Sequence, residues 1–146
     1  MILSHYCSRI PYLVQGVRKG NKFYGLEFCT RTLPCFNELY DYFYLNKTKK
    51  IPDNIYELLT PVDLAHWIIG DGAKLNKSIV LCTDSFSLRE VIILMNVLKI
   101  RYDINCTIQG LSENRPRIYV LQESFPKLVY IVKPFFIPSM LYKLHL

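Results

Sequence analysis

A carboxylate, Asp71, stands at the end of a short apolar segment and directly before a glycine. The segment Leu59-Thr-Pro-Val-Asp-Leu-Ala-His-Trp-Ile-Ile-Gly-Asp-Gly72 predicts a helix. Thr60 and Asp63 have the spacing of a capping box, and Gly72 follows the last turn, as a glycine commonly does at a helix end. A carboxylate there meets the negative end of the helix dipole, which is locally unfavourable. Asp71 is therefore either the turn residue of an Asp-Gly pair or an acid retained for chemistry.

The same helix is apolar around most of its circumference. Leu64, Ala65 and Ile68 lie on one face of it. Small residues at Ala65, Gly70 and Gly72 would let another helix approach closely. We predict that Leu64, Ala65 and Ile68 are covered by a second helix of the same kind or by an equivalent protein surface.

The composition favours a folded chain with a polyanionic partner. The 146 residues suffice for one ordinary domain, or for one domain and a fragment, and a hydrophobic content of 51% excludes a disordered chain. A net charge of +6 with a pI near 9.1 is typical of proteins that bind nucleic acid or an anionic surface. We expect no membrane partner, because no apolar run approaches the ~18 residues of a spanning helix.

Cysteine and histidine usage argues against disulfides and zinc. The five cysteines show no C-x-x-C spacing and lie among apolar residues, so we expect buried free thiols in a reducing compartment. The three histidines are scattered, and no zinc site is predicted. Abundant Phe, Tyr, Ile, Leu, Lys and Asn fit an organelle genome, and the N-terminus lacks the features of a targeting segment.

Strands and a helix are predicted before the Asp71 helix. Strands at Tyr12–Val17 and Lys22–Thr30 are joined by a basic hairpin turn. Apolar residues at helical spacing predict a helix at Pro34–Leu45. A cationic loop at 46–50 and a connector at Ile51–Leu58 follow.

The order after the Asp71 helix alternates between strands and helices. A loop carrying Lys74 and Lys77 comes first. A strand is predicted at Ser78–Thr83, followed by a helix from a capping box at Ser87 to about Lys99. Two strands, Ile104–Gln109 and Arg117–Leu121, are joined by a turn at Ser112–Pro116. The last predicted elements are helices at Ser124–Val132 and Ser139–Leu144. Apolar and polar residues alternate in the first of these two strands, which directs Asn105, Thr107 and Gln109 outward. The partner strand presents Arg117 and Tyr119 on its outward side.

The string Leu64-Ala-His-Trp-Ile-Ile-Gly-Asp-Gly72 resembles the LAGLIDADG motif of homing endonucleases and intron maturases. Five of its positions match the motif letter for letter, namely Leu64, Ala65, Ile68, Asp71 and Gly72, whereas His66, Trp67, Ile69 and Gly70 differ. The flanking stretches that add to the likeness are Leu59-Thr-Pro61, Asp71-Gly-Ala-Lys74, Lys77–Thr83 and Ile137–Leu144. With them, the chain from Asn21 to Leu144 resembles the second half of the two-motif, omega-type mitochondrial intron endonucleases.

The resemblance implies an α+β fold. Residues 60–146 would form a complete αββαββα unit with a curved antiparallel sheet, and residues 51–59 a connector. Residues 1–50 would be an incomplete first unit of strand, strand and helix. A faint internal repeat agrees with this division, since Tyr24–Glu27 and Tyr119–Gln122 each lead through a Ser or Thr and a proline into a predicted helix.

In that family two motif helices lie side by side, and their terminal acids hold divalent metal ions against the scissile phosphates. The resemblance implies that Asp71 is a ligand of Mg²⁺ and that the Gly70 carbonyl is a second one. It implies Lys143 as the basic residue of this unit and Lys49 as that of the preceding unit, with Lys50 competing for the role. Without the resemblance, these lysines would be interpreted as solvated surface charges.

The sequence departs from the family pattern at Asp84. Family members often have a glutamine just after the strand that ends near Thr83 in this chain, where it positions solvent. A carboxylate at that position could recruit metal or could repel the phosphate backbone, and the sequence leaves both roles open for Asp84.

The resemblance also implies a nucleic-acid face, because the outward side chains of the family's sheet read the major groove. Arginine and glutamine can make paired contacts to bases, whereas lysine mainly contacts phosphate. The candidates are Lys22, Tyr24, Lys77, Asn105, Thr107, Gln109, Arg117 and Tyr119. The alternative for each is an exposed side chain without a specific role, and the apolar strand Ser78–Thr83 argues against readout there.

Two functions remain open at this point. One is a site-specific, intron-encoded DNA endonuclease, or a subunit of one, that depends on Mg²⁺ and cuts both strands. It would need a second motif from another copy or another chain, because one Asp-ending motif cannot build a paired site. The other is a non-cutting RNA-binding maturase or a structural ribonucleoprotein component that retains the fold. In either case the resemblance implies a mitochondrion or another organelle as the place of synthesis.

Overall fold

Helices and antiparallel strands alternate in the computed structural model, which describes residues 4–110 and 115–146. Contacts along the chain divide it into two compact units, Met1–Asp41 and Tyr42–Leu146. Part of the predicted turn, residues 112–114, lies outside the described residues.

The first unit is built on a hairpin of β1 (Tyr12–Arg18) and β2 (Asn21–Glu27). Lys19 and Gly20 form its two-residue turn, and both have positive φ, as this tight type of turn requires. A short 3-10 helix at Ser4–Tyr6 precedes the hairpin, and α1 (Cys35–Phe43) begins in this unit. Every described residue of the unit is at least partly exposed to solvent.

The second unit contains four strands in one antiparallel sheet, with helices between and after them. Its short first elements are β3 (Tyr44–Leu45), β4 (Thr48–Lys49) and α2 (Ile55–Leu58). They are followed by α3 (Pro61–Asp71), β5 (Gly72–Leu75), β6 (Ser78–Leu81), α4 (Leu88–Tyr102), β7 (Cys106–Gln109), β8 (Arg117–Val120), α5 (Phe125–Val132) and 3-10 helices at Lys133–Phe135 and Pro138–Leu144. The strand order is β5-β6-β8-β7, so the predicted α+β class and the order αββαββα are confirmed.

One side of the sheet and the helices α3, α4 and α5 enclose the core of the second unit. The strands contribute Ile79, Leu81 and Ile118, which are nearly or completely inaccessible to solvent. The helix α4 adds Val91 and Leu94, which are buried in the same cluster.

The helix face predicted to meet a second helix is instead part of this core. Leu64, Ala65 and Ile68 are all 0% exposed and belong to the core cluster of their own unit. The opposite face of α3 carries the exposed residues His66 and Gly70. The sequence left open a second helix or an equivalent protein surface as the cover, and within this chain the cover is the unit's own core. A helix that is apolar nearly all round does not reveal which of its faces its own sheet will cover.

The sequence also missed short elements. β5 was predicted as a loop, because four residues that begin with Gly72 carry no alternating pattern. The cationic loop 46–50 contains β4 and pairs with β3, and the connector Ile51–Leu58 ends in α2.

The cysteines form no disulfide, as expected, but none of them is fully buried. Cys29 and Cys35 are exposed, and Cys7, Cys82 and Cys106 are half-buried. Burial raises the pKa of the Cys106 thiol to about 12. Among the described residues, no helix is long and apolar enough to cross a membrane.

Candidate metal site and nucleic-acid interface

The position of Asp71 is fixed by both ends of α3. At the start, the Thr60 side chain accepts a hydrogen bond from the Asp63 N–H, and the Asp63 carboxylate accepts one from the Thr60 N–H at 3.1 Å. At the end, Gly72 is extended, and a Cβ added to it would come within 2.5 Å of the Ile68 carbonyl oxygen. The helix thus ends on a glycine for steric reasons, and Asp71 is its last residue.

The Asp71 carboxylate is exposed at the carboxyl end of α3. No described residue forms an ion pair or a side-chain hydrogen bond with it. Its backbone carbonyl accepts the N–H of Cys82 at 3.0 Å, which ties the end of the helix to the chain after β6. The backbone is therefore held while the carboxylate is left available for a ligand.

Lys143 reaches the same helix end from the 3-10 helix Pro138–Leu144. Its Nζ donates a hydrogen bond to the Ile69 carbonyl at 2.6 Å, two residues before Asp71. Carbonyls of a last helical turn lack partners within the helix and carry partial negative charge, so an ammonium group is favourable there. Leu144, beside the lysine, is buried in the core and anchors the segment. The structure thus brings the predicted Asp71 and Lys143 to one helix end.

The oxygen groups at this helix end fit a magnesium ion only in part. Mg²⁺ prefers oxygen ligands, keeps several waters, and is commonly held by one or two carboxylates together with substrate phosphates. Asp71 supplies one carboxylate, and the Gly70 carbonyl precedes it. The described residues contain no group of three or more His, Cys, Asp or Glu side chains that could hold a metal. This chain alone would therefore contribute a minority of the ligands.

Lys49 lies in a different setting from Lys143. It is exposed in β4, opposite Tyr44 of β3. No described residue pairs with its side chain through an ion pair or a hydrogen bond. The neighbouring Lys50 is half-buried, and its backbone N–H donates to the Phe43 carbonyl at 2.9 Å.

The predicted outward residues of β7 and β8 share one face of the sheet. Thr107 lies opposite Tyr119, and Gln109 opposite Arg117. Thr107 is exposed, and Gln109 and Arg117 are half-buried. Tyr119 does not fit the prediction of an outward, accessible ring, because it is only 8% exposed.

The burial of Tyr119 has a local cause. Its partner across β6 is Val80, which is 9% exposed. Both residues lie outside the core cluster and are neighbours on the outer face. The middle of this face is consequently apolar, and its polar groups lie along β7 and at the start of β8.

Asn105 is held away from that face. Its side-chain amide donates to Glu123 Oε1 at 3.0 Å, and its backbone N–H donates to Ser124 Oγ at 3.0 Å. It lines a groove of about 380 Å³ beside α4 with residues that include Lys99. Ser124 precedes α5 without capping it through its side chain, because its hydroxyl accepts the Asn105 N–H instead.

The remaining predicted contact residues lie in hairpins. Lys22 and Tyr24 share one face of the β1–β2 hairpin with Gln15, and the Tyr24 ring is 63% exposed. Lys77 is exposed in the two-residue turn between β5 and β6, after Asn76 with positive φ.

Asp84, whose role the sequence left open, forms an ion pair with Arg117. Arg117 donates from Nε and from Nη2 to the two carboxylate oxygens of Asp84, each at 2.9 Å. Hydrogen bonds from the Arg117 guanidinium hold the pKa of Asp84 below its usual value, and Asp84 raises the pKa of Arg117. Sequence reasoning missed this pair because the two residues are 33 positions apart and meet only when β6 pairs with β8.

Comparison with known proteins identifies the family. The family model described as the LAGLIDADG DNA endonuclease family matches residues 1–128. The chain belongs to this family. The LAGLIDADG helix is α3, and its terminal acid is Asp71.

Individual LAGLIDADG relatives match nearly the whole chain. The cytochrome b mRNA maturase bI2 of Debaryomyces hansenii is 37% identical over 142 residues, which cover 95% of this chain and 54% of that protein. The intron-encoded endonuclease ai4 of Dictyostelium discoideum is 37% identical over 120 residues, which cover 81% of this chain and 76% of that protein. The maturase bI2 of Saccharomyces cerevisiae is 41% identical, and the match covers 35% of its length. The chain thus spans about half or less of the maturases that it matches.

A solved LAGLIDADG structure confirms the fold. The structure of the homing endonuclease I-WcaI bound to its DNA recognition sequence superposes with a TM-score of 0.88 at 32% sequence identity. The match covers 98% of this chain and 67% of that one.

Proposed function

We propose that this chain is a site-specific, intron-encoded DNA endonuclease or a subunit of one. The observation that carries the proposal is that Asp71, whose carboxylate is available, and Lys143 lie at the same helix end. The Lys143 Nζ is 2.6 Å from the Ile69 carbonyl there. A carboxylate and an ammonium group at one helix end suit hydrolysis of a phosphodiester, since the carboxylate can hold a metal ion and the ammonium group can stabilise developing charge.

DNA is the partner that the comparisons support. I-WcaI is described as bound to its DNA recognition sequence, and this chain matches it over 98% of its length. The net charge of +6 suits a polyanion. The accessible polar groups of the outer sheet face, Thr107, Gln109 and Arg117, would meet the base edges, while Lys22 and Lys77 would contact phosphates.

The chain's own residues would perform two tasks at the scissile phosphate. Asp71, with the Gly70 carbonyl, would hold a Mg²⁺ ion that supplies Lewis-acid stabilisation when bound. Lys143 would present its ammonium group to the phosphate charge, and its bond to Ile69 would keep it oriented. We expect a second LAGLIDADG unit, from another copy or another chain, to supply the other acid for the opposite strand.

A maturase is the alternative, because the two bI2 relatives carry that name. An RNA partner would use the same basic surface without requiring Asp71. The names of these relatives refer to cytochrome b mRNA, and they support an origin in an organelle for this chain as well.

Selection from a pool of randomised DNA duplexes tests the proposal. Purified chain, with any partner that copurifies, is expected to enrich one sequence in EDTA and to nick that duplex when Mg²⁺ is added. Affinity should fall steeply between ~50 and ~200 mM salt, since phosphate contacts release counterions. If no DNA sequence is enriched and the chain binds intron RNA tightly, the result would contradict the endonuclease proposal and favour a maturase.

Lysine variants test the assignment at the helix end. Lys143→Ala should slow nicking by ~10²-fold or more, as the loss of an electrostatic stabiliser commonly does. Lys133→Ala is the matched control, because Lys133 is an exposed lysine of the preceding 3-10 helix. Equal nicking rates for the two variants would show that Lys143 has no catalytic role.

A further inference from the structure

The Asp84–Arg117 pair is built more firmly than an ordinary surface ion pair. Two parallel hydrogen bonds of 2.9 Å join the guanidinium to both carboxylate oxygens. The residues just before them are also joined, since the Thr83 hydroxyl, 1% exposed, donates to the Pro116 carbonyl. The two backbones are thus fixed beside each other, and the orientation of the guanidinium follows from them.

The pair still leaves part of Arg117 free for a ligand. A guanidinium has five N–H donors, and Asp84 engages one on Nε and one on Nη2. Among the residues that the structure describes, both donors on Nη1 and the second donor on Nη2 have no partner. These present a second planar edge with two parallel N–H groups, and the side chains of Arg117 and Asp84 are 41% and 36% exposed.

We propose that Arg117 reads a guanine of the DNA target and that Asp84 is the positioning residue that holds its guanidinium edge for this contact. The inference rests on the proposed function. Guanine presents two acceptors, O6 and N7, to the major groove, and a planar pair of N–H donors matches them. Arg117 lies on the outer sheet face, opposite Gln109, where such an edge would meet a groove.

The charge of the pair distinguishes this role from phosphate binding. An arginine that neutralises a phosphate contributes to the salt dependence of binding. The positive charge of Arg117 is already balanced by Asp84, so the pair should add sequence preference with little salt dependence. A surface ion pair that served stability alone would be worth little, and its loss would leave base preference unchanged.

The test compares position-specific preference in variants of the purified chain. Wild type, Arg117→Lys and Asp84→Asn are each used to select from randomised DNA duplexes in EDTA. Arg117→Lys keeps the charge but loses the planar edge, and it should reduce the preference for guanine at one position by roughly 5-fold to 150-fold. Asp84→Asn should reduce the preference at the same position, and the double variant should go no further than Arg117→Lys alone.

A charge-matched control separates positioning from long-range electrostatics. Asp53→Asn makes the same change in net charge at an exposed carboxylate of the turn before α2 that has no ion pair with a described residue. It should leave the guanine preference unchanged. Thermal unfolding of each variant, monitored by circular dichroism, confirms that the compared proteins are folded.

Two results would overturn the inference while the proposed function stands. In one, wild type selects a sequence, and Asp84→Asn raises affinity for all duplexes equally without a change at any position, so that Asp84 merely repels phosphates. In the other, Asp84→Asn alters positions different from those altered by Arg117→Lys. A wild type that selects no DNA sequence overturns the proposed function, and the inference with it.

Discussion

The two units of the chain contain similar elements but differ in what those elements enclose. In Met1–Asp41 a hairpin precedes the start of α1, and no described residue is buried. In Tyr42–Leu146 paired hairpins and helices enclose a core in which Leu64 and Ile68 are 0% exposed. The second unit has what the first one lacks among its described residues, a helix such as α3 that packs its apolar face onto a sheet.

The LAGLIDADG helix α3 organises its own unit in addition to carrying the acid Asp71. Its Leu64, Ala65 and Ile68 face inward and fix the helix on the core, so that the position of Asp71 is determined by packing. Apolar side chains of the first unit, such as Leu26 at 76% exposure, have no comparable cover from the residues described. Stability and site geometry are therefore concentrated in the second unit.

The strongest test of this contrast is a pair of truncations. Ile68→Ala should lower the free energy of unfolding by about 2–5 kcal/mol, because it removes buried methylenes and leaves a cavity. Leu26→Ala should change it by less than about 0.5 kcal/mol, as is usual for exposed positions. Urea denaturation measures both, and a similar loss for the two variants would show that the first unit also has a core.

A pair of glycine substitutions sharpens the contrast at the end of α3. Gly72→Ala should destabilise by about 1–3 kcal/mol, because the new Cβ would stand 2.5 Å from the Ile68 carbonyl oxygen. Gly70→Ala meets nothing within 4 Å and lies inside the helix, so it should stabilise by up to about 1 kcal/mol. Thermal unfolding of both variants measures the two changes. The unfolding temperature should fall for Gly72→Ala and should not fall for Gly70→Ala, and a similar fall in both would contradict the prediction.

The smallest expected effect concerns surface charge, which also separates the units. All ion pairs between described residues lie in the second unit. The Asp103 carboxylate forms two of them, with Lys99 Nζ at 2.6 Å and with Lys127 Nζ at 2.9 Å. Hydrogen bonds from these lysines lower the pKa of Asp103 from 3.8 to about 2. Because the folded pKa is depressed, the stabilisation is present above pH 3.8 and is lost as the pH falls towards 2.

The measurement for this third prediction is unfolding in urea between neutral pH and pH 2. Asp103→Asn should lose the part of the pH dependence that lies below pH 4, and salt should reduce the difference from wild type. An unchanged pH profile in the variant would contradict the role assigned to Asp103.

Sequence reasoning predicted those features that depend on local patterns. The capping boxes at Thr60 and Ser87 form as expected, and the alternation of β7 correctly places Thr107 and Gln109 on one face. It failed where tertiary contacts decide. The inward face of α3 depends on which side the sheet covers, and Tyr119 is shielded by a residue on another strand.

The candidate site also contains residues that the sequence predicted and a contact that it could not predict. Asp71 and Lys143 were predicted from the resemblance, and the structure brings them to one helix end. Their catalytic and metal-binding roles stay predictions. The contact between Asp84 and Arg117 could not be predicted, because no local pattern relates residues that meet only through the pairing of β6 with β8.

A variant of Asp71 separates DNA binding from DNA cutting. On the DNA duplex that wild type selects, Asp71→Asn should abolish Mg²⁺-dependent nicking. Its affinity in EDTA should equal or exceed that of wild type, because a carboxylate near phosphates repels them. Asp53→Asn, with the same change in charge, should still nick. Nicking by Asp71→Asn at the wild-type rate, or a wild type that binds the duplex and leaves both strands intact in Mg²⁺, would contradict the account.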